Sequence, residues 1–160
     1  MTPSQKKTFF TDVCYVCHQA AAYRDYVRNG HQASLTGHPF QQVIENALIE
    51  SSLAFLRKAN EFFGKSSDAS VRAFFPDYTP QWLWNKNDSE LLNDRVMHLS
   101  LCEAEDGKHD WTVFYSTHLP EVERRFAAFI DRVRREHPDL INFNLQPRAL
   151  SPSVADLVSR

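Results

Sequence analysis

A chain of 160 residues with a hydrophobic fraction of 42% has the material for one ordinary domain and one core. Its formal charge of −2 excludes a surface built throughout for duplex DNA or an anionic bilayer, though not a local basic patch. Only four glycines punctuate it, Gly30, Gly37, Gly64 and Gly107, too few for an all-β fold, whose turns recur about every 8–12 residues.

The N-terminus, Met1 to Lys7, leads into only Phe9 and Phe10 before Asp12. That is not the pattern of a signal peptide, and no run of about 18 apolar residues suggests a membrane span. A cytoplasmic location is therefore expected. The three cysteines, an odd number, are expected to be free thiols.

The first predicted helix runs from Ser4 or Thr8 to Asn29. Phe9, Val13, Val16, Ala20, Tyr23 and Val27 recur at helical spacing, with Phe10, Cys14, Cys17 and Ala21 as a second ridge beside them. Asn29-Gly30 is a C-terminal stop. Residues 31–38 read as a loop, and Pro39 is a favoured first-turn residue for the second helix. That helix ends before Gly64. Its main stripe is Phe40, Ile44, Ala47, Leu48, Ser51, Phe55, Ala59 and Phe62, with Ile49, Leu56 and Phe63 as another. Glu50, Arg57 and Glu61 share a polar sector.

Residues 65–87 read as an irregular connection. Ser67 or Asp68 is placed to cap a short helix through Phe74, and Trp82 and Trp84 are expected to be partly buried. A third helix is predicted from Asp88, as cap, to Glu103. The fourth fits Trp111 to Glu136, with Trp111, Tyr115, Leu119, Val122, Phe126, Ile130 and Val133 in phase across Pro120, which either kinks the helix or begins a new one. The expectation is an all-α, four- to five-helix up-and-down bundle over 1–137. An extended tail over 138–160, with a short terminal helix near Ser151, completes it.

Three groups of residues bear on chemistry. Cys14, Cys17 and His18 form the Cys-x-x-Cys-His pattern that attaches c-type haem, but the same cysteines continue the Phe10–Ala21 ridge, where free Cys behaves as a small hydrophobe. With His98 and Cys102, four apart on the third helix, Cys14 and Cys17 compose a possible four-ligand zinc set. Core packing accounts for these cysteines more simply, so no metal or cofactor is expected. On the third helix Arg95 and His98 pair a phosphate-holding cation with a proton-moving imidazole, a combination suited to phosphodiester cleavage. The alternative is a structural polar cluster of Glu50, Arg57 and Asn93 that orients the third helix. Finally, Arg124, Arg125, Arg132 and Arg135 face away from the fourth helix's apolar stripe. Glu121, Glu123, Asp131 and Glu136 interleave with them, which favours a salt-bridged surface over an RNA-binding one.

The run from Asn46 to Phe63 with Asp68, then Leu92-Asn-Asp-Arg-Val-Met-His-Leu-Ser100, Trp111 and a Phe-containing last helix, resembles a HEPN-like family of small bacterial proteins. The resemblance spans roughly residues 43–133. It implies a helical bundle, often a homodimer, in a superfamily that includes RNA-cleaving toxins, abortive-infection proteins and catalytically silent binding domains. Its nucleases carry an arginine, a polar residue and then a histidine at a longer gap. Arg95 and His98 have only two residues between them. Arg24 and His31 have a suitable gap but close the first helix. Arg132 and His137 lack the polar neighbour and stand about 140° apart on a helix. The expected function is thus non-catalytic, through dimerisation or binding of RNA or a cognate protein. The alternatives are a metal-independent endoribonuclease using Arg95 and His98, as in toxin or phage-defence systems, and, more weakly, a metal- or haem-binding bundle.

Overall fold

The computed structural model describes residues 1–93 and 111–141. Among them are three long helices, α1 (Pro3–Arg28), α3 (Gln41–Gly64) and α5 (Trp111–Glu136). The short helices are α2 (His31–Ser34), α4 (Lys86–Leu92) and α6 (Pro138–Ile141), with a 3-10 turn at Val71–Ala73. No strand occurs among the described residues, and no helix there is long and apolar enough to cross a membrane.

α1 starts where Thr2 and Gln5 form a reciprocal capping box ahead of Pro3, satisfying two orphan amide donors. Phe9 meets Phe62, Phe10 meets Phe129, and Tyr115 reaches Ala20. α3 and α5 therefore both run antiparallel to α1. Small residues permit the close approach: Ala20 and Ala21 are fully covered.

The core has two continuous parts. At one end Phe62, Phe74, Phe75, Phe126 and Phe129 gather around Phe10 and Phe63. Their edge-on pairs include Phe62–Phe129 at 5.3 Å and 87° and Phe74–Phe129 at 5.3 Å and 78°, an arrangement favoured by the ring quadrupoles. At the other end Leu53, Leu56, Trp84, Phe114, Leu119 and Val122 pack on the alanines of α1.

Several expectations need correcting. Residues 31–34 form a single helical turn instead of a loop, entered through Gly30 in the left-handed region at φ 72°. Pro39 lies in a turn, closed by the Gln41 amide donating to the His38 carbonyl, so α3 starts two residues later. On α3 the expected Leu56, Ala59, Phe62 and Phe63 are buried, joined by Ser52, Leu53 and Asn60, whereas Phe40 and Ser51 of the expected main stripe are exposed. Apolar periodicity misses Ser52 and Asn60 because they are polar and are satisfied by hydrogen bonds. Ser70, not Ser67 or Asp68, caps the 3-10 turn. Asn85, not Asp88, caps α4, its side chain accepting from the Asp88 amide. The tail begins as a helical turn with Leu140 buried, not as an extended strand.

α5 matches the expectation and passes through Pro120 without a break. Pro120 is exposed, so the carbonyl it leaves unpaired can bind water instead of being stranded in the core.

Candidate functional site

α3 runs into its C-terminal turns with Arg57, Asn60, Glu61 and Gly64 following one another along one side, and the irregular connection folds back over them. Two hydrogen bonds fix its return. The Leu83 amide donates to Asn60 Oδ1 at 2.7 Å, and the Gln81 amide donates to the Phe63 carbonyl at 3.0 Å. This docking places Trp82 flat against Gly64: a Cβ built on Gly64 would lie 2.4 Å from the indole. Gly64 is needed for this close approach, not for any unusual backbone angle.

Between this end of α3, the two tryptophans and α4 lies a cleft of about 660 Å³. Among the described residues of its lining, Arg57, Lys65 and Lys86 are the cations and Glu61 the carboxylate, and Lys86 Nζ also pairs with Glu90 Oε1 at 3.1 Å. Glu61 Oε1 accepts from Arg57 Nε at 3.2 Å and Oε2 from Lys65 Nζ at 2.8 Å. Burial acts to raise the Glu61 pKa, but the hydrogen bond and charge of Lys65, with those of Arg57, hold it below its ordinary value. Among the described residues, the hydrogen bond of Arg57 is made through its Nε. Trp82 is 52% exposed, against the expectation of partial burial for both tryptophans, whereas Trp84 is 8% exposed. Among the described residues the buried Trp84 Nε1 has no acceptor.

α4 forms the far wall and is held to α5 by His118. Its Nε2 lies 3.4 Å from Asp88 Oδ2, and its ring packs against Trp84 and Phe114 with centroids 4.9 and 4.3 Å away. Burial lowers the His118 pKa, with the Asp88 charge opposing.

Of the polar cluster read from sequence, the structure brings Arg57 and Asn93 to the same cleft. Glu50 is exposed and does not line it; seven residues before Arg57, it lies about 10 Å along the helix axis. Arg95, His98 and Cys102 lie outside the described residues. Cys14 and Cys17 are buried in the aromatic half of the core. Burial pushes the Cys14 thiol up to about 12 and raises Cys17 as well, opposite to what an activated thiolate needs. Among the described residues no three histidines, cysteines or carboxylates converge as a metal site.

The remaining Arg/His combinations are engaged structurally. Arg24 pairs with Asp25 and with Glu123 of α5, while His31 stacks on Tyr26. Arg132 lies 4.1 Å from the Phe75 ring centroid and pairs with Asp77 and Glu136. His137 stacks on the same Phe75, with its Nε2 3.0 Å from the Phe74 carbonyl and 3.1 Å from Lys6 Nζ. On the arginine face of α5, Arg124 and Arg125 share Glu121, whose pKa falls to about 2 chiefly through its hydrogen bond from Arg124.

Lys65, Trp82 and Lys86 were not recognisable as site residues from sequence. One signal was available: Gly64 one residue before a cation, followed by a Trp-x-Trp segment. Gly64 also reads simply as a helix stop, and that reading conceals its partner. No family model matches the chain, and neither a curated protein nor a solved structure matches it.

Proposed function

We propose that this chain is a HEPN-like helical bundle that acts by binding, not by catalysis, with single-stranded RNA as the partner its cleft suits best. The supporting observation is the grouping of several cations next to an open aromatic ring in one cleft. In the cleft, Arg57 and Lys65 share Glu61 and Lys86 pairs with Glu90, all beside a half-exposed indole. Cations that follow a phosphate backbone and aromatic rings that stack on bases are the two elements of sequence-tolerant single-strand recognition, in which each stacked base contributes about 1–3 kcal/mol.

The test uses the full chain and a fluorescent oligoribonucleotide in EDTA. Binding is expected to weaken as salt rises, and the RNA is expected to be recovered intact. Cleavage by the wild type that disappears in both Arg95→Ala and His98→Ala would replace this reading with the ribonuclease one. Absence of binding at low salt would remove RNA as the partner and leave a protein in its place. The homodimer implied by the resemblance has one point of support: Phe40 and Val43, 62% and 63% exposed, stand close together at the start of α3. Sedimentation equilibrium at the monomer mass would remove it.

A further inference from the structure

The cations of the cleft are answered within the chain: Arg57 and Lys65 share Glu61, and Lys86 pairs with Glu90. Two aromatic features of its wall are left without a match among the described residues. Trp82 is held flat against Gly64, where any side chain would collide with the ring, and the indole nevertheless stays 52% exposed. A large ring backed by a helix and left open is arranged to receive another flat ring. Trp84, two residues on, lines the same cleft and is only 8% exposed. Its Nε1–H has no acceptor among the described residues. An indole nitrogen only donates, and a buried donor left unpaired is costly, so its partner must bring an acceptor. The cleft, about 660 Å³, has the size of a small-molecule site.

We propose that this cleft is a site for an uncharged, flat heterocycle with a hydrogen-bond acceptor on its edge, the ring stacking on Trp82 and the acceptor meeting Trp84 Nε1–H. The proposal rests on the binding reading above for its location and adds the chemistry of the group that is recognised. No charge is required of that group, because the neighbouring cations already have carboxylate partners. The heterocycle can arrive as a free small molecule or as a base within a strand. Both present the same ring and acceptor.

The test is a titration of the isotopically labelled full-length protein, followed by calorimetry and by the nuclear magnetic resonance signals of the tryptophan side-chain N–H groups, assigned by their loss in Trp82→Leu and Trp111→Phe. Three uncharged probes separate the elements: caffeine has a flat ring with carbonyl acceptors, indole has a flat ring without one, and N,N-dimethylacetamide has the acceptor without the ring. Caffeine is expected to bind about tenfold more tightly than indole, the size of one net hydrogen bond, and more tightly than the amide. It should move the Trp84 Nε1–H signal downfield, and indole should not. Trp84→Phe should erase the preference for caffeine over indole, and Trp82→Leu should weaken the binding of both. Equal affinity for caffeine and indole overturns the proposal, as does an amide that binds as tightly as caffeine. Caffeine binding that leaves the Trp84 signal in place overturns it too, as does failure of every probe. Uridine, octauridylate and an octamer of abasic ribose phosphates identify the source. Octauridylate binding more tightly than both of the others supports a base within a strand. Octauridylate binding no more tightly than uridine supports a free heterocycle and refutes the RNA reading. Equal binding of the two octamers, both tighter than uridine, overturns this proposal and leaves the RNA reading standing. The three-probe comparison is made on wild-type protein, so it stands even if a variant fails to fold.

Discussion

The hydroxyl of Tyr115 donates to the carbonyl of Ala20 at 2.8 Å across the contact between α5 and α1. The same oxygen accepts from the Arg24 amide at 3.2 Å, so it touches both ends of one i to i+4 step of α1. Ser52 of α3 does likewise one residue earlier, donating to the Gln19 carbonyl at 3.3 Å and accepting from the Tyr23 amide at 3.1 Å. Two neighbouring helices thus grip consecutive steps of α1, each through a buried hydroxyl. Apolar ridges alone tolerate sliding; these contacts define the axial position of all three helices.

Tyr115→Phe and Ser52→Ala are each expected to destabilise by about 1 kcal/mol, the low end for a buried hydrogen bond, because the α1 amide and carbonyl can close on each other once the hydroxyl is gone. Urea unfolding monitored by circular dichroism measures both. Since the two hydroxyls act on adjacent steps of one helix, the double variant should be non-additive by at least about 0.5 kcal/mol. Strict additivity would show that the two grips are independent.

Gly64→Ala separates stability from site geometry. Alanine gains up to about 1 kcal/mol of helix propensity over glycine, and the half-exposed Trp82 can swing out to avoid the new methyl. Little net change in unfolding free energy is therefore expected, together with a red-shifted tryptophan emission and weaker ligand binding. An unchanged emission spectrum would contradict the close approach of Gly64 and Trp82.

Burial holds the Cys14 and Cys17 thiols in their neutral form. The sign follows: the folded state disfavours the thiolate, so the stability these two contribute is complete below the unfolded thiol pKa of about 8.5 and is lost progressively above it. At pH 8 neither is expected to react with an alkylating reagent in the native protein, and both should react in urea. Peptide mass mapping assigns the sites. Rapid native labelling of Cys14 would overturn its placement.

His118 gives an acid-side prediction. Its folded pKa is depressed, by burial first and despite Asp88, so the unfolded chain takes up the proton before the folded one. The contribution is therefore present above the unfolded histidine pKa of about 6.5 and is lost as pH falls from there towards the folded pKa. Between pH 7 and pH 5 the wild type should lose stability more steeply than His118→Phe, which keeps a ring between Trp84 and Phe114 and cannot titrate. Parallel slopes for the two proteins would exclude His118 as the source.

The long helices were legible in the sequence where burial is apolar, and the site was not. α5 ends at Glu136 as predicted and keeps its predicted inward phase because its buried side is aromatic and aliphatic throughout. On α3 the buried Leu56, Ala59, Phe62 and Phe63 were legible, but Ser52 and Asn60 look like surface residues until their partners, the α1 backbone and the Leu83 amide, are in place. The Thr2–Gln5 capping box was readable, and it moves the start of α1 ahead of either residue proposed for it. The cleft escaped because its walls come from the end of one helix, a segment without periodicity and a seven-residue helix. Trp82 and Gly64 are eighteen positions apart, and nothing in either neighbourhood connects them.

Their contact ties the two positions together through any history of substitution. A descendant of this chain that places a side chain at position 64 cannot keep a flat ring lying at 82, and one that loses the indole frees position 64 to become any good helix former. Glycine at one position and tryptophan at the other should therefore be kept or lost as a pair. Among related sequences, that joint inheritance would distinguish the lineages that retained the cleft from those that kept only the bundle.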